Sequence, residues 1–342
     1  MKNFVCLLLI LTASGIAFGQ KTFEVQDFSP DYYGKVHLEN PTEVFSKGWI
    51  AIYEKKTNRQ LIKVESEELV SETEDGKIKA NVKELPYGEQ SAIIYDDFNF
   101  DGIKDFAVMD GQNSCYHGPS FQIYLGGLIK SRFTLNKSFT RLAQEYCGMF
   151  DIDKAAKKIS TMTKDGCCWH QFSEFIVVGN APKAVKIVED DAMSFPFSNI
   201  STEIWNGKRM VKTSLRTVDF ENVDLKVLFS FLPKTNNAVV LFSYENELHY
   251  ALINQKKNVE FAFPKDSNEE NPTFALDSKE NPTALSFTNK GASYKVYETA
   301  NGKIGVEVKT NGKLSDISGD MTSKTGSLRK LVEANLTNIT FK

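Results

Sequence analysis

The residues with the strongest claim to chemistry are Asp97, Asn99 and Asp101, three oxygen-bearing side chains at alternate positions, followed by Gly102, Ile103 and Asp105. A tightly wound loop can turn alternate side chains toward one centre, and a hard cation of coordination six to eight takes oxygens in that arrangement. Gly102 suits the sharp bend, the Ile103 carbonyl supplies another oxygen and the Asp105 carboxylate closes the sphere. Asp97, Asn99, Asp101, Ile103 and Asp105 are therefore the expected ligands of one Ca2+. All are oxygens and no histidine lies among them, which favours a structural ion over a catalytic one. The rival is a polar turn rich in Asp and Gly that binds nothing.

The elements that must position this loop are read next. An EF-hand would put Glu at its twelfth position, where this chain has Val108, and would flank the loop with helices. Here the flanks, Ala92–Tyr95 and Phe106–Met109, read as strands, so the ion would pin a β-turn. Strand-flanked loops of this spacing resemble those of dockerin-like, integrin-type and propeller-type repeats. Asp96 and Asp110, close to the loop, could hold or tune the ion from behind its ligands, but solvated carboxylates are the commoner outcome.

Met1–Asn3 and the apolar run Phe4–Ala17, closed by Ala17-Phe18-Gly19, read as a secretory signal peptide cleaved between Gly19 and Gln20. The mature chain is expected in the periplasm or outside the cell. Cys115, Cys147, Cys167 and Cys168 follow the leader, an even number that in an exported chain implies disulfides. A bond between neighbours is sterically awkward, so Cys167 and Cys168 are each expected to pair with Cys115 or Cys147. Zinc held by Cys115, His117, Cys168 and His170 is the rival, but there is no Cys-x-x-Cys knuckle.

Net charge is −3, or −4 once Lys2 leaves with the leader, with both signs interspersed. That gives neither a basic stripe for nucleic acid nor a polybasic run for membranes, and no later stretch has the length of a membrane span. The length exceeds what one core usually holds, and 25 Phe point to sheet faces packed with aromatics. The expected fold is mostly β, in antiparallel sheets: a domain over 20–193 and a second, smaller β domain over 199–342. The shift at Asp190-Asp191 and Ser194–Ser198 marks the boundary.

Phe23–Glu43 is broken by Pro30, Gly34 and Pro41 and reads as irregular, whereas Gly48–Tyr53 and Gln60–Val64 read as a hairpin. Ser138–Tyr146 reads as a short helix or an irregular strand, and Gly319–Leu328 as a closing hairpin.

The Asp97–Asp105 loop, the aromatic strand Phe121–Tyr124, the hairpin Ile159–Gly166 with His170 after it, and the strand Phe172–Val177 together resemble a family of exported, propeller-like, calcium-binding bacterial proteins. Among them are immunity proteins that block lysozyme-type effectors of type IV secretion systems. The resemblance covers about residues 85–190. It implies a propeller-like N-terminal domain and a binding protein that inhibits a lysozyme-type peptidoglycan hydrolase.

No catalytic constellation competes strongly. Glycosidase chemistry needs two carboxylates across a sugar cleft, and none of the acidic residues is marked out by spacing. There is no phosphate loop, nucleophile elbow or His-Glu-x-x-His. Tyr116, His117, Trp169 and His170 are the candidate partner-binding residues; Trp169 with Tyr116 and Phe121 could form an exposed aromatic patch, though core aromatics are the commoner case. The expected partner is a protein or glycan of the cell envelope. The alternatives are an envelope hydrolase with its site near His170, and a surface glycan-binding or adhesion component.

Overall fold

The computed structural model describes residues 20–70, 77–85, 87–265 and 273–342. The leader, the Glu74-Asp75-Gly76 turn and Asn271-Pro272 lie outside the described residues. The chain is mostly β, with strands in antiparallel sheets over most of its length.

Two four-stranded sheets come first, each a meander of the kind from which propeller blades are built. The first contains β1 (Lys21–Val25), β2 (Tyr32–Leu38), β3 (Ser46–Glu54) and β4 (Gln60–Leu69). The second contains β5 (Ile93–Asp96), β6 (Asp105–Gly111), β7 (Ser120–Gly126) and β8 (Phe133–Leu135). Phe23–Glu43, expected to be irregular, supplies β1 and β2, paired from Lys21 opposite Leu38 to Val25 opposite Gly34. Gly34 reads as a breaker in the sequence, yet it holds an inward position of β2, where a Cβ would lie 2.3 Å from Ile93 Cδ1. The alternation is intact, and the missing side chain is room for a neighbour's.

Helix α1 (Lys137–Glu145) follows, settling the ambiguity over Ser138–Tyr146. Asn136 caps it by accepting the Ser138 and Phe139 amides, and Phe139, Leu142 and Ala143 face inward. Strands β9 (Asp151–Asp153), β10 (Lys158–Asp165), β11 (Trp169–Val178), β12 (Ala181–Asp191), β13 (Ser198–Trp205) and β14 (Met210–Thr217) are successive neighbours of a third sheet.

The remaining strands form a ten-stranded sheet: β15 (Lys226–Pro233), β16 (Ala238–Tyr244), β17 (Glu247–Ile253), β18 (Val259–Phe263), β19 (Phe274–Asp277), β20 (Thr283–Asn289), β21 (Ala292–Glu298), β22 (Ile304–Thr310), β23 (Lys313–Gly326) and β24 (Ile339–Phe341). The expected hairpin at Gly319–Leu328 is instead the second half of the single strand β23. Its first half pairs with β22 and its second with β15. Gly319 looks like a turn residue but sits where a Cβ would meet the Phe231 ring at 2.4 Å, so close packing explains it. The sheet curls on itself: Phe229, Leu241 and Tyr250 share one core with Leu276, Phe287 and Val306, and Leu328 and Leu331 plug it.

Two compact units result, one comprising residues up to Thr163 with Glu174–Lys183, the other Lys164–Ser173 with Ala184–Lys342. In the first, Phe28, Tyr32, Tyr95, Phe106 and Phe133 pack edge-on or stacked with centroids 4.5 to 5.9 Å apart.

Candidate functional site

The Asp97–Asp105 loop joins β5 to β6. Phe98 is buried edge-on against Phe150 with centroids 5.5 Å apart, anchoring the loop, while the oxygen-bearing residues turn back on the loop's own amides. Asp97 accepts from Asp101 N at 3.2 Å and Gly102 N at 2.9 Å, and Asp101 accepts from Ile103 N at 2.8 Å. Gly102, at φ 88°, takes the left-handed bend that the sequence suggested.

Asn99 is nearly buried. Its amide donates to Asp101 Oδ2 at 2.8 Å and to Asn180 Oδ1 at 3.1 Å, so the β11–β12 turn buttresses the loop. Asp105 is wholly buried and accepts from Phe98 N and Gly126 N, each at 2.8 Å. Burial pushes its carboxyl up to about 7; the two amides oppose that shift, and the negative charges of Asp101 and Asp97 add to it.

Among the described residues no group of three or more His, Cys, Asp and Glu side chains converges as a ready cation cluster. The fit to a hard ion rests on the oxygens themselves. A carboxylate oxygen that accepts one N–H keeps a second lone pair, so loop amides can hold these side chains while they also ligate. Asp97, Asn99, Asp101, the Ile103 carbonyl and Asp105 all belong to this amide-wound turn.

The acidic neighbours separate. Asp96 stays at the loop, accepting from Asp97 N at 2.9 Å and pairing with Lys154 at 2.7 Å. Asp110 does not: it lies near the far end of β6, accepting from Ser120 Oγ and Gln144 Nε2, each at 2.6 Å. Its part in tuning the ion falls away, because the five strand steps from Asp105 to Asp110 cover about 17 Å.

At that far end the β6–β7 loop carries Tyr116 and His117, and its shape is unusual. Both residues have left-handed backbone, at φ 52° and 59°, a conformation costing about 1 to 2 kcal/mol per residue outside glycine. The Cys115–Cys147 disulfide holds the loop, with Cα atoms 4.8 Å apart, and α1 delivers Cys147 to that place. Gly118 N donates to Cys115 O at 3.0 Å and Gly148 N to Ser114 Oγ at 3.2 Å. Tyr116 is thereby presented 59% exposed. His117 stacks on the exposed Phe45 at 4.9 Å, and its Nε2 lies 2.6 Å from Glu68 Oε2.

The other two cysteines bond to each other, Cys167 to Cys168, which corrects the expected exchange of partners with Cys115 and Cys147. Their Cα atoms are 3.7 Å apart, the span of one trans peptide, and the tight turn between β10 and β11 accommodates the small ring. With all four sulfurs in disulfides, the rival zinc set of Cys115, His117, Cys168 and His170 is gone. Trp169 is half-buried, His170 stacks on Phe172 at 6.4 Å, and Phe121 is wholly buried in the core rather than part of an exposed patch.

Sequence reasoning missed Phe45 and Glu68, which the β6–β7 loop recruits from the first sheet; nothing in their local sequence marks them.

The site and fold thus define a β protein of four-stranded antiparallel meanders with a wound oxygen loop at one end of a meander and a disulfide-held aromatic loop at the other. No family model matches the chain, and no curated protein matches it. Among solved structures it is similar to a Xanthomonas type IV secretion system related protein, 18% identical, over 57% of this chain and 93% of that one, with a TM-score of 0.45. It is also similar to prolyl oligopeptidase B from Galerina marginata, 8% identical over 89% of this chain and 42% of that one, with a TM-score of 0.25. Likeness at this level assigns no activity.

Proposed function

We propose that this chain is a binding protein of the cell envelope, without catalytic activity, whose recognition element is the Tyr116–His117 loop. The observation that carries the reading is the pair of consecutive left-handed residues held out by the Cys115–Cys147 bond beside Phe45. Strain of this kind persists only where surrounding structure enforces it, and a loop already held in one conformation loses little entropy on association. Its exposed Tyr, its His and the neighbouring Phe suit a partner surface that takes aromatic anchors.

At the other end of the same meander, Asp97, Asn99, Asp101, the Ile103 carbonyl and Asp105 would hold one Ca2+. When bound, the ion neutralises the carboxylates and staples β5 to β6. The resemblance of residues 85–190 makes a lysozyme-type peptidoglycan hydrolase the partner to test first.

Titration calorimetry and activity assays against a panel of lysozyme-type hydrolases test the partner. Inhibition lost on Tyr116→Ala/His117→Ala, with the melting temperature unchanged, supports the reading; no inhibition across the panel sinks the hydrolase as target. Calcium is tested separately. The melting temperature should rise with Ca2+ over a chelator, and Asp101→Ala should abolish the rise; identical melting curves end the ion claim. Turnover of glycan or ester substrates that disappears on His170→Ala would move the protein into the hydrolases.

A further inference from the structure

The β7–β8 turn presents two large aliphatic side chains to solvent at its tip, Leu128 at 99% exposure and Ile129 at 62%. Most large apolar residues in this unit are sequestered, and these two adjacent aliphatics are left bare. The tip itself, Gly127-Leu128-Ile129-Lys130-Ser131-Arg132, carries two cations and no acid. Arg59 reaches in from the first sheet, its Nη2 donating to Ser131 O at 3.5 Å. Two acids lie behind: Asp31 pairs with Lys130 at 2.9 Å, and Glu54 accepts from Ser131 Oγ.

The base of the turn is rigid. Gly126 N donates to Asp105, and a Cβ on Gly126 would lie 2.7 Å from Lys104 O, so the hairpin presses against the oxygen loop. Tyr32 OH meets Ser131 Oγ at 3.4 Å on the other side. A fixed apex of two aliphatics with a cationic collar fits a plane that is apolar below and negatively charged at its face.

We infer that this tip is a membrane-docking element that inserts Leu128 and Ile129 into the headgroup boundary of an anionic bilayer, with Arg59 and Arg132 facing the lipid phosphates and Lys130 held back on Asp31. Aliphatic side chains supply the apolar burial, and the collar selects charge. Aromatic anchors, usual at protein interfaces, are absent from the tip.

Co-sedimentation of the full chain with vesicles tests it, comparing phosphatidylcholine alone with phosphatidylcholine containing phosphatidylglycerol. Each series is run in chelator and in Ca2+, so that failure of the calcium reading shows as identical series and leaves the lipid comparison intact. Wild type should partition onto the anionic vesicles. Leu128→Ser/Ile129→Ser should weaken that partition by roughly a hundredfold, about tenfold for each side chain withdrawn from lipid. Arg132→Glu should weaken it less, and more so at low salt. These residues are exposed, so a retained melting temperature separates docking from folding. A blue shift in emission of Leu128→Trp on adding anionic vesicles reports insertion directly. No binding to anionic vesicles, equal binding to both vesicle types, or a double variant that binds like wild type would overturn the inference.

Discussion

Replacing Cys115 and Cys147 together by serine is expected to loosen the Tyr116–His117 loop while removing only part of the stability that a cross-link of this span provides. The bond closes a sequence separation of 32 residues, for which loss of chain entropy in the unfolded state corresponds to about 4 kcal/mol at 25 °C. Against that stands the backbone it enforces. Tyr116 and His117, at φ 52° and 59°, each store about 1 to 2 kcal/mol, which the loop releases if it relaxes once the tether is gone. The opposed effects leave a net loss between about 0 and 2 kcal/mol, the vicinal Cys167–Cys168 bond being untouched. Urea unfolding read by hydrogen exchange on β5–β7 gives the stability. Limited proteolysis of residues 112–119 gives the loop, and the variant should be cut there well before wild type. A loss of 4 kcal/mol or more with unchanged proteolysis would refute stored loop strain, and a gain in stability would refute the entropic cross-link.

His249 is 1% exposed, stacked on Phe242 at 5.1 Å, and neither ring nitrogen has a hydrogen-bond partner. Burial lowers its pKa to about 4, below the unfolded value of 6.5, so the unfolded chain binds more protons between those values. Stability is full above pH 6.5 and falls by up to about 3 kcal/mol as pH drops toward 4; melting temperature against pH should show this, and His249→Phe should flatten it. Gly48→Ala places a Cβ 2.0 Å from the His37 carbonyl oxygen, so β2 and β3 must part; a loss of about 1 to 3 kcal/mol is expected in denaturant titration. Glu298→Ala strips Lys324, Ser327 Oγ and Leu328 N of their common acceptor and is expected to lower the melting temperature of the second unit by several degrees, read by calorimetry.

The sequence by itself determined the class of fold and where the strands around the oxygen loop run, because alternation of apolar residues and a run of Asp, Asn and Gly are local properties of a chain. Ala92–Tyr95 and Phe106–Met109 became β5 and β6, and the turn at Gly102 took the backbone only glycine adopts freely. Where glycine had a tertiary reason the local reading failed: Gly34 and Gly319 look like breaks, but they sit inside strands because a neighbour's side chain fills the space of a Cβ.

Only the tertiary structure decided which sulfurs meet, since the packing that places α1 sets Cys147 beside Cys115 and leaves Cys167 and Cys168 to each other. It also decided that Asp110 belongs to the opposite end of β6 from the oxygen loop, and that Phe45 and Glu68 stand beside His117. The linear charge pattern holds no basic run, yet packing of one sheet's turn on the next brings Arg59 to Ser131, between Lys130 and Arg132 and beside two bare aliphatics. Such neighbours are separated by tens of residues, and the contacts that join them are set by sheet pairing and packing, which no local pattern encodes.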